Sequence, residues 1–176
     1  RSVLNENEGY LFPDTYLVPR DADIEMVVTI MRNNFKLKLE EAAVAENSSN
    51  LSRTVILASL IEREAVTDEE KPLIAGVIEN RLRRGMALDV DATIQYVKGK
   101  PGAWWPQLTQ DDYKNVDSPY NTYLNPGLPP GPIANPGIKA IKAALNPQTH
   151  SYYFYIHADG KIYPARTIEE HQANIQ

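Results

Sequence analysis

The sequence predicts an α+β fold in which helices pack on a small, mostly antiparallel sheet and one long loop is rich in proline, glycine and aromatic residues. Three observations lead there. Apolar residues recur at helical spacing through several segments between Ile24 and Arg84. The runs 152–157 and 161–163 are β-prone and flank Asp159-Gly160, the signature of a two-residue hairpin turn. Residues 99–137 hold too many prolines and glycines for regular elements, and too many aromatics for a disordered linker.

In chain order, residues 9–18 are aromatic and β-prone around Pro13 and read as an edge strand or two short extended pieces, which join the C-terminal hairpin in the sheet. Asp21 or Asp23 caps a long helix with the stripe Ile24, Val27, Val28, Met31, Phe35 and Leu39, running on into Ala42 and Ala43 and closed by residues 47–50. Asn50 or Ser52 caps the next helix. There Leu57, Leu60, Ile61 and Glu64 share one face at 100° per residue, while Glu62 points the other way. Residues 67–70 open a third helix, which tolerates Pro72 only in its first turn. Its stripe is Leu73, Ile74, Val77 and Ile78, and Arg81, Arg83 and Arg84 end it near Gly85. The two helices form an αα-hairpin that presents Glu64 at its bend. Residues 88–96 begin extended and turn helical with Asp91 as cap. Residues 138–145 form a short helix with Ala140, Ile141, Ala144 and Leu145 inward, and Thr167 with Glu170 is a capping-box pattern for a final helix. There is no repeat and no domain boundary, so residues 1–176 read as a single domain cut from a longer chain.

Composition removes several classes of function. With 18 basic and 23 acidic residues, net charge −5 and no basic run, nucleic acid is a poor partner. Without cysteine there is no thiol catalysis, disulfide or Cys-ligated zinc. His150, His157 and His171 lack the spacing of a helical metal pair, so no metal is expected and each reads as a surface or internally satisfied histidine. No nucleophile elbow or Walker loop is present, and the prolines of Gly127-Leu128-Pro129-Pro130-Gly131 lack the N–H groups that cradle phosphate. No cofactor is expected.

What remains is carboxylate chemistry. A carboxylate in an apolar stripe costs several kcal/mol unless paired or protonated, and burial lifts its pKa toward the range where it works as an acid near neutral pH. Glu64 is therefore the candidate catalytic group. Two other readings stay open: the helix ends before it, or it pairs with Arg81 or Arg83. Trp104, Trp105, Tyr96, Tyr113, Tyr120 and Tyr123 offer flat faces, and Asn80, Gln95, Asn121 and Asn125 offer amides. Such surfaces suit sugars, although aromatics also pack in cores.

The blocks Ala58-Ser59-Leu60-Ile61-Glu62-Arg63-Glu64, Val77-Ile78-Glu79-Asn80-Arg81-Leu82, Tyr120-Asn121-Thr122-Tyr123 with Gly127-Leu128-Pro129-Pro130-Gly131-Pro132-Ile133, and Glu170-His171 together resemble the endolytic murein transglycosylase (YceG-like) family. The resemblance implies an enzyme that cleaves MurNAc-β-1,4-GlcNAc bonds inside peptidoglycan glycan strands and leaves 1,6-anhydro-MurNAc ends. It implies Glu64, the second glutamate of Glu-x-Glu, as catalytic residue. Glu62, Asp91, Gln95, Tyr96, Tyr120, Asn121 and Tyr123 are the supporting or substrate-binding candidates. It also implies an N-terminal membrane anchor and a LysM-like domain ahead of this chain, work on the extracytoplasmic face of the bacterial membrane, and cell-wall synthases as possible partners. One carboxylate suffices if the muramoyl C6 hydroxyl is the nucleophile; Asp89 or Asp91 serving as a second would turn the reaction to hydrolysis. The family often has histidine where this chain has Ile162, so no role is carried onto that turn, and His171 matches without an assigned role. The alternatives are a non-catalytic glycan-binding module of the wall-synthesis machinery and, more weakly, a pyridoxal-type lyase, which would need a lysine set in an apolar stripe.

Overall fold

The computed structural model describes residues 3–44 and 49–175. In chain order these form α1 (Val3–Glu6), α2 (Ile24–Glu41), α3 (Leu51–Glu64), α4 (Lys71–Arg83), α5 (Asp91–Lys98), α6 (Gln110–Asn115), α7 (Ile138–Leu145), β1 (Phe154–Ala158), β2 (Lys161–Ala165) and α8 (Ile168–Ile175). The class is α+β.

The core is built around α3, which packs against α7, α4 and α5. Val55, Leu57, Ala58, Leu60 and Ile61 are all completely buried, so its apolar face is wider than one stripe. Each large side chain of this kind contributes roughly 1.5–3 kcal/mol on leaving water. Leu39 from α2, Ile74 from α4 and Ile141 from α7 complete the cluster. Ser59, also fully buried, donates its hydroxyl to the Ile56 carbonyl (2.7 Å) and accepts from the Ile133 N–H (3.0 Å), which ties the long loop to the middle of α3. No helix of the described residues is long and apolar enough to cross a membrane.

At the bend of the αα-hairpin, α3 stops because the chain turns extended at Ala65. The next two N–H groups, of Val66 and Thr67, bond the Glu70 carboxylate at 3.1 and 3.3 Å. Pro72 lies in the first turn of α4, as its missing N–H requires. Gly76 sits where α4 meets the segment after α7: a Cβ there would lie 2.2 Å from the Gln148 carbonyl oxygen. Gly76→Ala is expected to destabilise the fold by about 1–3 kcal/mol, read as a lower urea midpoint with an unchanged slope, because backbone rather than a flexible side chain must move.

The hairpin pairs β1 with β2 in antiparallel register from Phe154↔Ala165 to Ala158↔Lys161. Asp159 and Gly160 both have positive φ (51° and 70°), the two-residue turn whose twist matches the strands.

Several expectations need correction. The sheet has two strands, and residues 9–18 add none. Their N–H groups are spent elsewhere: Gly9 and Leu11 donate to Asn135 Oδ1 (2.7 and 3.1 Å) and Phe12 to the Met31 carbonyl (3.4 Å). Leu11 and Phe12 bury their side chains while Pro13 prevents a ladder. The long loop contains α6, which lies within its longest stretch free of proline and glycine, 107–118, and is opened by a Thr109–Asp112 capping box. Asp91 is the first residue of α5 rather than its cap, a position held by Val90. Leu145 faces outward and Ala143 inward, and the helix of Asp23 ends at Glu41. Of the residues expected to close it, 47 and 48 lie outside the described residues. In the final helix Thr167 Oγ1 accepts from the Glu170 N–H (3.2 Å), but Glu170 reaches back to the Arg166 N–H (2.7 Å), one residue before the box predicts.

Candidate active site

Glu64 closes α3 with its carboxyl half-buried beside β1. Tyr155, from the middle of β1, donates its hydroxyl to Glu64 Oε2. Burial raises the Glu64 pKa most, and the charge of Asp91 adds to the rise; the Tyr155 hydroxyl, His157 and Arg63 oppose it without cancelling it. The same burial, with the glutamate charge beside it, pushes the Tyr155 phenol well above its ordinary range, so this hydroxyl stays protonated as a donor. Burial thus favours the protonated form of Glu64, while Tyr155 holds one of its oxygens.

His157 lies two residues along β1, on the same face as Tyr155, with the rings edge to face at 5.8 Å. Its Nε2 is 3.0 Å from Glu70 Oε2. Burial acts to raise the Glu70 carboxyl, but its bonds with His157 and the N–H groups of Val66 and Thr67 outweigh that and lower it. The hairpin is thus tied to the α3–α4 bend at Glu64 and Glu70. Tyr155 and His157 were missed in the sequence; their i, i+2 spacing on a predicted strand was the available signal.

The two candidate aspartates separate. Asp91 accepts from the hydroxyls of Tyr123 and of Tyr113 (3.3 Å for the latter) and is close enough to influence Glu64. Those tyrosines pack together at 4.8 Å, and burial leads the rise of the Tyr123 phenol. Asp89, at φ 52°, pairs instead with Arg81 (2.9 Å). Arg81 also donates to the carbonyls of Tyr153 (2.6 Å) and Leu88 (2.8 Å), and Arg83 bonds Asn80. Neither arginine pairs with Glu64, so that reading of its place on the stripe is set aside.

Glu62 points away, to Lys71 Nζ (3.3 Å) and the Gly137 N–H (3.3 Å), where it joins α3, α4 and the start of α7. Glu62→Gln is expected to lose roughly 1 kcal/mol of stability, because this part-exposed pair is a brace and solvent screens it. Matched unfolding curves check this. Asn121 is 0% exposed: its Nδ2 donates to the Tyr113 and Val116 carbonyls (3.3 and 3.0 Å) and its Oδ1 accepts from the Tyr123 N–H (3.0 Å). Thr122 accepts from the Val90 N–H (3.0 Å). In Tyr120-Asn121-Thr122-Tyr123 the two middle residues thus anchor the loop and the two tyrosines are held outward. Gln95 holds the Pro106 carbonyl (3.2 Å), while Tyr96 and Tyr120 pack at 5.1 Å on the wall of a cavity of about 770 Å³. His171 stacks on Phe154 at 5.6 Å beside a smaller cavity of about 320 Å³, which Tyr123 and Tyr155 also line.

The chain resembles known proteins along almost its whole length. The YceG-like family model matches residues 1–176. The chain is 38% identical over 175 residues to the endolytic murein transglycosylase of Streptococcus pneumoniae (strain ATCC BAA-255 / R6), covering 96% of this chain and 31% of that protein. It is 36% identical to that of Bacillus subtilis (strain 168), covering 96% of this chain and 48% of that protein. The chain thus spans between about a third and a half of the curated relatives it matches. A crystal structure of a yceG-like protein from Listeria monocytogenes superposes with a TM-score of 0.85 at 35% identity, covering 96% of this chain and 55% of that one. With its whole length matched by the family model and its fold shared with a solved relative, the chain belongs to the YceG-like family.

Proposed function

We propose that this chain is the catalytic part of an endolytic lytic transglycosylase acting on peptidoglycan glycan strands, with Glu64 as its single acid and base. The observation that carries the reading is the Glu64–Tyr155 pair: a carboxyl whose pKa burial raises, with one oxygen held by a hydroxyl. Glu64 gives its proton to the departing GlcNAc O4 as the bond from muramoyl C1 breaks. The resulting carboxylate takes the proton of the muramoyl C6 hydroxyl while O6 closes on C1. The product is a 1,6-anhydro end, Glu64 regains its proton, and no water is consumed. Asp91 is occupied by two tyrosine hydroxyls, and its negative charge serves to keep Glu64 protonated and to favour the cationic sugar ring. The substrate places the reaction on the extracytoplasmic side of the cell membrane.

Digestion of purified strands in isotope-labelled water is the test. Anhydro ends without label are expected; labelled reducing ends would make the enzyme a hydrolase, and binding without cleavage a glycan-binding module. Tyr155→Phe probes the pair itself. The hydroxyl lowers the Glu64 pKa, so its loss is expected to move the alkaline limb of the kcat/KM profile to higher pH and to lower kcat by about 10- to 100-fold, the size of a hydrogen bond to a charged group. A profile that does not move would remove Tyr155 from the mechanism.

A further inference from the structure

The chain has two tryptophans, and both line the 770 Å³ cavity. Trp104 is 59% and Trp105 47% exposed. Two adjacent indoles left in water are costly, and a cavity of this size is in the range that takes small-molecule ligands. Tyr96 and Tyr120 extend the aromatic wall, and Glu6, Glu8 and Asn135 supply polar groups beside it. Burial raises the Glu8 carboxyl. Flat apolar faces next to hydrogen-bonding oxygens match a saccharide, whose C–H faces stack while its hydroxyls donate. An acidic peptide would be repelled by the two glutamates, and an acyl chain would leave them without donors.

The cavity is joined to the proposed reaction centre by one residue. Arg63, the neighbour of Glu64 at the end of α3, lies over the Trp105 ring with its guanidinium carbon 3.5 Å from the ring centroid. Position along α3 thus sends Glu64 toward β1 and Arg63 toward the tryptophan loop.

Building on the transglycosylase reading, we propose that this cavity is a subsite for one arm of the glycan strand, in which N-acetylhexosamine units stack on Trp104 and Trp105 while Arg63 braces Trp105 beside the bond to be broken. The subsite holds the strand in ground and transition state alike. Its loss therefore shows in KM rather than kcat.

Because both tryptophans sit here, selectively excited tryptophan emission of the 176-residue chain reports this cavity alone. Peptide-free glycan strands added to the Glu64→Gln chain are expected to shift tryptophan emission saturably. In the otherwise unaltered chain, Trp105→Ala is expected to raise KM about tenfold with kcat within roughly twofold, and Trp105→Phe to recover most of the loss. Trp104→Ala, at the more exposed position, supplies a second variant that does not depend on how Trp105 packs. Strands that co-sediment with the chain while emission stays fixed, or a KM unmoved in both alanine variants, would overturn the subsite. So would an emission shift seen only when the strands carry their stem peptides. An emission shift without cleavage by the unaltered chain would leave the subsite standing and remove the transglycosylase reading.

Discussion

Glu64→Gln is expected to lose at least about 1000-fold in the rate of strand cleavage, within the span of general acid–base catalysis, while the fold becomes more stable at neutral pH. Both effects have one cause. The ordinary value of the carboxyl is 4.5, and in the folded chain burial and Asp91 raise it. The native state then binds more protons than the unfolded one, so stability falls as pH rises from the ordinary value through the raised one, and the cost stays in full above it. Glutamine carries no charge to desolvate and still offers an oxygen to Tyr155. The thermal midpoint of Glu64→Gln should therefore exceed that of the unaltered chain at pH 7, and the gap should close below the usual carboxylate range. Thermal unfolding across pH measures this. Retained cleavage would end the assignment of Glu64, whereas a less stable Glu64→Gln chain at pH 7 would mean that the glutamate charge is a structural partner.

Asn121→Ala is expected to cost about 2–4 kcal/mol and to remove most of the activity without any contact between Asn121 and substrate. Three groups lose their partner together: the Tyr113 and Val116 carbonyls and the Tyr123 N–H. Each buried polar group left unsatisfied costs roughly 1–3 kcal/mol, and solvent reaching the loosened loop recovers part of that. For a chain of this size such a loss lowers the thermal midpoint by roughly 4–16 °C. The loop carries Tyr120 and Tyr123, so the placement of the cavity wall and of Asp91 goes with it. Activity that tracks the folded fraction on cooling would confirm an organising role; a stable but inactive variant would instead make Asn121 a substrate contact.

The difference between these two residues shows how far the sequence reaches. At Glu64 the periodicity of α3 is local and strong, so the glutamate on the apolar face was visible, and so was the opposite orientation of Glu62. Asn121 was read as a possible sugar contact, because an amide looks the same whether it faces a ligand or a carbonyl. Its side-chain partners come from the end of α6 and from its own loop, and only the folded loop brings them together.

Local rules determined what depends on neighbours in the chain: the α+β class, the αα-hairpin with Glu64 at its bend, the short helix over residues 138–145, and the Asp-Gly hairpin. The tertiary structure decided what depends on distant partners. Residues 9–18 are β-prone, yet they join no strand, and Gly9, Leu11 and Phe12 give their N–H groups to Asn135 and Met31. Tyr155 stands 91 residues from Glu64 in sequence. No spacing rule joins positions so far apart; only the packing of the hairpin on the α3–α4 bend brings the phenol to the carboxyl. The same packing supplies the burial that raises the Glu64 pKa, a shift that no periodicity in the chain could show.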